Sequence, residues 1–294
     1  MLTARLRRTV GGLLVVGSAA VVLALIVDRS GARGSTSAPT LVPRSARLAV
    51  ATTPPQGLPP VSIIQGLGDS VPAADACGCT SFVSLVAQVH ATVQQRAMTV
   101  TNDAKGGFTS ADLLAQATSE HLTARPGSVT IITIGANDFD SRLLSSPGCR
   151  ASDGLACYQL GLRALSKNVT ELLRDLAPAG QAHGIVLVTG YWNVFLDGKV
   201  GAAQGPAYVR DSDALTRAVN DALQRATSAR GDTFVDLYEL FKSKGAYEDE
   251  LLASDGDHPS AFGHALIADT VEQALVSALA QEPEPGLRHR PGRH

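Results

Sequence analysis

The sequence is poor in aromatic residues, nearly balanced in charge and free of internal repeats. Aromatic residues make up 4% of the 294 positions, which argues against a broad platform for stacking carbohydrate rings. The formal net charge is −2, so nothing suggests a general nucleic-acid binder. No His and no Cys-x-x-Cys pair completes a ligand set with the cysteines, and we therefore expect no metal site. The hydrophobic share of 45% suits one globular domain with extra segments.

An apolar run near the N-terminus follows three arginines. Arg5, Arg7 and Arg8 precede TVGGLLVVGSAAVVLALIV, which carries no charge. A basic start before such a run is typical of an export signal, and the run is nearly long enough to cross a bilayer. We therefore predict that residues 1–28 are either a cleaved signal peptide or a retained membrane anchor. In both cases the positive-inside rule places the rest of the chain outside the cytoplasm, secreted or at the cell surface.

The composition divides the remainder of the chain into three parts. Residues 29–60 are rich in Pro, Ser, Gly and Thr and predict a flexible linker. Residues 61–281 carry the periodic apolar pattern of a folded domain. Residues 282–294 are polar and rich in Pro and Arg, and they predict a disordered tail.

Four cysteines fit an exported protein, because oxidising compartments permit disulfides. Cys149 and Cys157 flank the polar stretch RASDGLA and would close a short loop there. Cys77 and Cys79 are separated by one glycine, so a bond between them is possible but strained. Pairing between the two loops also remains open at this point.

Apolar runs alternate with amphipathic stretches from residue 61 onward. The strand candidates are VSIIQGL, MTVTN, SVTIITIG, GIVLVTG and the start of TFVDLYELF. Helical spacing follows most of them, with the longest helices predicted over residues 80–97, 156–178, 207–229 and 260–280. Alternating strands and helices indicate a mostly parallel sheet covered on both faces. We therefore predict an α/β domain with a flavodoxin-like three-layer α/β/α architecture and a five-stranded, mostly parallel sheet.

Polar or Gly-rich loops follow the strands at one edge of this predicted sheet. Ser70 comes just past the first strand, Gly107 follows the second and Asn137 follows the third. Asp255 and His258 lie after the fifth strand and before the last helix. Because ligands bind beyond the carboxyl ends of the strands in open α/β sheets, we expect these residues to share one site.

These loops carry four short blocks that resemble those of the SGNH/GDSL hydrolase family. In the order in which the family has them, the blocks are GDS at 68–70, Gly107, GAND at 135–138 and DGDHPS at 255–260. The chain departs from the family after GDSVPA, where Ala74 and Asp75 stand in place of a common glycine. The resemblance implies the SGNH hydrolase fold and a serine hydrolase acting on ester bonds, a GDSL-type esterase or lipase.

The resemblance also implies a role for each matched residue. Ser70 would be the nucleophile, His258 its general base, and Asp255 the acceptor that fixes the imidazole tautomer. The oxyanion donors would be the backbone N–H groups of Ser70 and Gly107 and the side-chain amide of Asn137. Asp257 is a poorer candidate than Asp255, because a side chain adjacent to the base usually points elsewhere. No metal and no organic cofactor is required.

Other polar residues near these blocks have structural interpretations. We expect Asp69 to bind loop N–H groups beneath the nucleophile and Asp138 to brace its own loop. The stretch GYWNVF at 190–195 follows the fourth strand, and its aromatic residues would either line the pocket or pack the loop. Three histidines outside the blocks are expected at the surface, namely His90, His121 and His183.

The sequence thus predicts an exported or membrane-tethered serine esterase that forms an acyl-serine intermediate. Its substrate would be a small-molecule, lipid or carbohydrate ester, and we expect a monomer. The alternative is a non-catalytic cell-surface binding module that kept the hydrolase fold. A phosphate or nucleotide binder is disfavoured, because NDAKGGFTS has neither the spacing nor the ending of a phosphate-binding loop.

Overall fold

A computed structural model describes residues 58–178, 182–242 and 248–281. The predicted signal or anchor at 1–28, the linker at 29–60 except its last three residues, and the tail at 282–294 lie outside the described residues. Within the described part of the chain, no helix combines the length and apolar character needed to cross a bilayer.

Five parallel strands form one sheet. They are β1 (Ile63–Gly68), β2 (Thr99–Asn102), β3 (Ser128–Thr133), β4 (Ile185–Thr189) and β5 (Thr233–Val235). The sheet has the order β2-β1-β3-β4-β5, and every neighbouring pair is parallel. All six residues of the central strand β3 are buried, whereas the edge strand β2 is exposed throughout. The prediction of a five-stranded, flavodoxin-like sheet is confirmed, and the described sheet is parallel throughout.

Nine α-helices lie between and around the strands of the described chain. They are α1 (Ser70–Ala73), α2 (Phe82–Gln94), α3 (Ser110–Ser119), α4 (Gln159–Leu176), α5 (Gly198–Ala203), α6 (Pro206–Ser228), α7 (Tyr238–Lys242), α8 (Glu248–Leu251) and α9 (Ala261–Leu279). Helices α2 and α9 pack together, and α3, α4 and α6 pack in succession. These two groups give the three-layer arrangement that the near-continuous apolar strands require.

Local capping fixes where two helices near the site begin. Thr109 accepts a hydrogen bond from the backbone N–H of Asp112, whose carboxylate accepts one from the backbone N–H of Thr109. This capping box starts α3 directly after the Gly-rich loop. Ser260 caps α9 by accepting from the N–H of Gly263, so the chain enters that helix two residues after His258.

The expectation that His90 lies at the surface is wrong. His90 is fully buried between α2 and α9, and its Nδ1 lies 2.7 Å from Oε1 of Glu272. His90 follows Phe82 and Val86 at helical spacing, so it lies on the buried face of α2 that packs against α9. His121 and His183 are exposed, as expected.

The four cysteines form two local disulfides, Cys77–Cys79 and Cys149–Cys157. The first follows α1 and the second closes the loop before α4, so each lies in a loop that leaves the carboxyl edge of the sheet. Pairing between the two loops, which the sequence left open, does not occur.

Candidate active site

The nucleophile candidate stands on a tight turn between β1 and α1. Gly68 has φ +132°, and a Cβ there would lie 1.8 Å from the carbonyl oxygen of Thr133 on the neighbouring strand, so only glycine fits. Asp69 then caps α1 by accepting from the N–H of Val71 at 3.0 Å. Ser70 is the first residue of the helix, and the turn presents its hydroxyl above the carboxyl end of β1.

A loop between α8 and α9 brings an imidazole to this hydroxyl. Backbone hydrogen bonds from Ala253 N–H to His258 O at 2.8 Å and from Ser260 N–H to Leu251 O at 2.8 Å hold the loop closed. His258 Nε2 lies 2.8 Å from Ser70 Oγ, across 188 positions of sequence. On the other side of the ring, Nδ1 lies 2.9 Å from Asp255 Oδ2. Serine hydroxyl, imidazole and carboxylate thus form one continuous hydrogen-bonded chain.

A second carboxylate also reaches this imidazole. Asp257 Oδ1 lies 2.8 Å from His258 Nδ1, although the ring N–H is aligned with Asp255 and not with Asp257. The expectation that the Asp257 side chain points away from the base is therefore wrong. The reason is the sharp turn at Gly256, which has φ +81° and lets the carboxylates on both sides of it face the same ring nitrogen.

These two carboxylates control the protonation of His258. Asp257 is the largest influence and Asp255 adds to it, so the pKa of His258 is raised to about 9 despite partial burial. Burial alone would raise the pKa of Asp255, but hydrogen bonds led by the backbone N–H of His258 outweigh it and lower that pKa. Both carboxylates therefore favour the imidazolium form of His258 over the neutral ring.

Three donors converge beside Ser70. Within the described chain, the backbone N–H groups of Ser70 and Gly107 have no hydrogen-bond partner. The side-chain amide of Asn137 donates one hydrogen to Phe108 O at 3.1 Å and keeps the other. Ser70, Gly107 and Asn137 line the same cavity as His258, so free donors face the space in front of the hydroxyl.

A partly buried contact joins the loops that carry Gly107 and Asn137. Asp138 accepts from the backbone N–H of Ser110 at 2.8 Å and from its hydroxyl at 2.5 Å. Asn168 on α4 donates to the same hydroxyl at 3.0 Å. Asp138 was expected to brace its own loop, and it instead ties that loop to the start of α3. The relative positions of the two donors are fixed by this tie.

A cavity of about 490 Å³ opens in front of the serine. Much of its wall is apolar and comes from Val71, Ala136, Phe139, Val194, Phe195 and Leu196. The site therefore combines a hydroxyl, a base and free N–H donors with a surface that suits an apolar chain.

The nucleophile turn rests on a fully buried aromatic residue. Tyr191 follows β4, and its hydroxyl donates to Asp69 Oδ2 at 2.5 Å. The same hydroxyl accepts from the N–H of Ala136 at 3.4 Å, next to the Asn137 donor. Burial raises the pKa of Asp69 to about 6, although the Tyr191 hydroxyl and the Val71 N–H both oppose the rise. The prediction that Asp69 binds an N–H group beneath the nucleophile agrees with this geometry.

Comparison with known families identifies this arrangement. The family model described as GDSL-like lipase/acylhydrolase matches residues 62–266, which is more than half of the chain. The chain belongs to the GDSL-like lipase/acylhydrolase family. It is therefore an enzyme that hydrolyses ester bonds. No match was found among curated proteins.

Solved structures share the fold of this family member at low sequence identity. A lipase from a goat rumen metagenome matches with a TM-score of 0.58 and 20% identity, over 74% of this chain and 100% of that one. An extracellular lipase from Streptomyces rimosus matches with a TM-score of 0.54 and 20% identity, over 73% of this chain and 100% of that one. The acetylxylan esterase Axe2 from Geobacillus stearothermophilus matches with a TM-score of 0.53 and 17% identity, over 74% of this chain and 96% of that one. These matches support the SGNH hydrolase fold.

All five residues that the sequence put forward come together in this family member. Ser70, Gly107, Asn137 and His258 line the cavity, and Asp255 stands behind the imidazole. Their chemical roles are taken up below as a proposal.

The sequence left the aromatic stretch after β4 undecided, and the structure separates its members. Phe195 lines the cavity, whereas Tyr191 and Trp192 are fully buried. Trp192 stacks on Phe241, and its Nε1 donates to Asp257 O at 3.1 Å. The support that Tyr191 gives to Asp69 was missed. The only available signal was an aromatic residue directly after a strand at the carboxyl edge, and its partner lies 122 positions away.

Proposed function

We propose that this protein is an exported or membrane-tethered serine esterase that hydrolyses carboxylic esters through an acyl-Ser70 intermediate. One observation carries the proposal: Ser70 Oγ, His258 and Asp255 are linked by contacts of 2.8 and 2.9 Å at the wall of a cavity. A serine hydroxyl is a poor nucleophile unless a base removes its proton, and the position of His258 beside Ser70 supports this role.

In the acylation step, Ser70 Oγ attacks the ester carbonyl carbon while His258 Nε2 takes the hydroxyl proton. The carbonyl oxygen becomes an oxyanion in front of the Ser70 and Gly107 N–H groups and the Asn137 amide. A single donor of this kind typically lowers the barrier by about 3 kcal/mol. His258 then gives its proton to the alcohol oxygen as the carbon–oxygen bond breaks, and the acyl group stays on Ser70.

Deacylation repeats these steps with water as the nucleophile. His258 takes a proton from the water as its oxygen attacks the acyl carbon, and the same donors face the second oxyanion. The proton then returns to Ser70 Oγ as the acid leaves, which restores the enzyme. In the arrangement described, Asp255 accepts from Nδ1–H, so that Nε2 is the nitrogen free to accept the serine proton. The proposed chemistry uses groups of the protein alone.

We propose that the apolar wall of the cavity receives the acyl group of a small-molecule, lipid or carbohydrate ester. Phe139, Val194 and Phe195 provide that wall beside the nucleophile. Relatives of the same fold include lipases and an acetylxylan esterase by name. Rates across p-nitrophenyl esters of increasing acyl length would define the preferred chain. We further propose that the enzyme is a monomer.

Export is supported by two features of the chain. Arg5, Arg7 and Arg8 precede the long apolar run at the N-terminus, and both cysteine pairs are joined as disulfides, as in proteins of oxidising compartments. The N-terminal residue of protein from the native host tests this proposal. A start near Arg33 means a cleaved signal, and an intact start means a membrane tether. Recovery of full-length protein in the cytosolic fraction would contradict both.

A fluorophosphonate probe tests the catalytic proposal directly, since it forms a covalent bond with an activated serine. We expect labelling of the wild type and no labelling of Ser70→Ala. Ser141→Ala is the matched control, because Ser141 lines the same cavity without contacting His258, and it should be labelled. If folded wild-type protein is not labelled, the chain is better described as a binding module that kept the hydrolase fold.

A further inference from the structure

Two carboxylates approach one nitrogen of the proposed base. Asp255 Oδ2 lies 2.9 Å from His258 Nδ1 and Asp257 Oδ1 lies 2.8 Å from it. A single N–H either aligns with one acceptor or is shared between two, and in this structure it is aligned with Asp255. The mechanism derived above uses that carboxylate and leaves Asp257 without a role.

The two carboxylates differ in the number of hydrogen bonds that their oxygens accept from other groups. Asp255 Oδ1 accepts from the N–H groups of Asp257 at 3.3 Å and His258 at 3.2 Å, so both of its oxygens have partners. Asp257 Oδ1 is buried and has no aligned donor among the described residues. A buried carboxylate oxygen without a donor is costly unless a nearby positive charge compensates it. The imidazolium is the one such charge within contact distance that the described structure shows.

The backbone of Asp257 is held in place from the opposite side. Trp192 Nε1 donates to Asp257 O at 3.1 Å, and the N–H of Asp197 donates to Gly256 O at 2.7 Å. Trp192 is itself fully buried. The direction of the Asp257 side chain toward Nδ1 is therefore set by packed, hydrogen-bonded neighbours.

We propose that Asp257 is a second positioning residue for His258, which accepts Nδ1–H in turn with Asp255 and helps to hold the ring as an imidazolium. This proposal rests on the proposed function. Both carboxylate oxygens already lie within 2.9 Å of Nδ1, so little movement is needed to exchange one acceptor for the other. In this site two carboxylates thus orient the imidazole, a role that a single carboxylate has in the simpler triad.

Other titratable groups near His258 are Asp69, His264 and Asp75, which lines the same cavity. Asp69 beneath the nucleophile also favours the imidazolium, because the two groups attract each other. His264 on α9 is kept neutral, since burial, with a smaller effect of His258, lowers its pKa to about 4. Asp257 is the largest of the influences that raise the pKa of His258. Its removal should therefore lower the pH at which the base becomes neutral.

The experiment compares kcat/KM against pH for Asp255→Asn, Asp257→Asn and the double variant. For Asp257→Asn we expect the rise of kcat/KM with pH to shift to lower pH by about one unit, with activity at pH 7 equal to or above wild type. For Asp255→Asn we expect a loss of about 10-fold, since Asp257 takes over. The double variant should fall by about 10⁴-fold, as a triad does when its only carboxylate is lost. This loss exceeds the product of the two single effects.

Controls separate positioning from a general effect of charge or folding. Asp269→Asn removes an exposed carboxylate of α9 and should leave the pH profile unchanged. The chemical shift of the His258 Nδ1 proton, followed by NMR against pH, reports the change between neutral imidazole and imidazolium, and its midpoint should lie at lower pH in Asp257→Asn. If that variant does not fold, Asp257→Ser gives the same comparison.

Two results would overturn the proposal. One is a pH profile in Asp257→Asn that matches wild type. The other is a loss in Asp255→Asn as deep as in the double variant. Failure of the underlying serine mechanism looks different, because wild-type protein would then not react with the fluorophosphonate at Ser70.

Discussion

At the scale of single residues, the buried carboxylate of Asp69 couples the nucleophile turn to stability. Its pKa is about 6 in the fold, mainly because of burial, against about 3.8 when exposed. The folded state therefore binds more protons between these values, and the free energy of unfolding falls as pH rises through them. The shift corresponds to about 3 kcal/mol. Asp69→Asn should remove this pH-dependent loss of stability. Urea unfolding at pH 4 and pH 7 measures the free energy of unfolding in both proteins.

The comparison for Asp69→Asn is the difference in unfolding free energy between the two pH values, because other carboxylates titrate in both proteins. Wild type should lose more stability over this interval than the variant does. Equal pH dependence in both would contradict the assigned pKa. The variant should also lose activity, since the amide changes the hydrogen bonds with Val71 N–H and the Tyr191 hydroxyl that position Ser70.

A second residue-scale prediction concerns Ala74, which stands where the family commonly has a glycine. Ala74 ends α1 with φ 60° and ψ 38°, in the left-handed region where a Cβ is strained. Ala74→Gly should relieve that strain and raise the free energy of unfolding by about 0.5–1 kcal/mol. Ala73→Gly is the matched control, because Ala73 is helical and its replacement should lower stability. A loss of stability in both variants would refute the strain argument.

At the scale of secondary-structure elements, the start of α3 holds the loop that carries Asn137. Ser110 is buried and links Asp138 to Asn168 on α4. Ser110→Ala removes both hydroxyl contacts and should let the Gly107 and Asn137 donors drift apart. We expect kcat to fall about 10-fold with KM little changed, because the oxyanion forms only on the way to the intermediate. Steady-state kinetics measure this, with Ser119→Ala at the far end of α3 as the control.

The disulfide between Cys149 and Cys157 restrains the loop that leads into α4. It joins residues 8 positions apart, and a closed loop of this length is worth about 2.5 kcal/mol in the chain-entropy model. The variant with alanine at both positions should lose about that much stability in urea unfolding. Replacing the Cys77–Cys79 pair, which are 2 positions apart, should cost less. The reverse order would show that native contacts, not chain entropy, set the contribution of each bond.

The elements also show where sequence reasoning works and where it stops. The central strands were predictable because buried parallel strands are continuous apolar runs, and the site followed from the rule that loops converge at their carboxyl ends. The direction of the Asp257 side chain could not be predicted from the sequence. It depends on the turn at Gly256 and on a contact with Trp192, which lies 65 positions earlier in the chain. His90 was misplaced for a different reason. Its spacing from Phe82 already put it on the buried face of α2, but the partner that makes a buried imidazole tolerable there, Glu272, comes from the last helix.

At the scale of the whole molecule, stability and activity should respond to pH in opposite directions. The pKa of His258 is raised to about 9 in the fold by Asp257 and Asp255, against about 6.5 in the unfolded chain. The stabilising effect of the imidazolium is present in full below the unfolded value and is lost as pH rises through the folded one. The proposed mechanism needs the neutral imidazole, so we expect kcat/KM to rise over that same interval.

The prediction for the whole molecule is therefore a melting temperature that falls between pH 7 and pH 10 while kcat/KM increases. His258→Gln should flatten the stability curve over this interval, since glutamine does not titrate. Thermal unfolding monitored by circular dichroism, measured in parallel with ester hydrolysis, makes the comparison. A melting temperature equally pH-dependent in wild type and variant would mean that the charge on His258 does not stabilise the fold. A melting temperature that falls while kcat/KM rises would mean that this enzyme is most stable in the protonation state in which the proposed base, His258, cannot accept a proton.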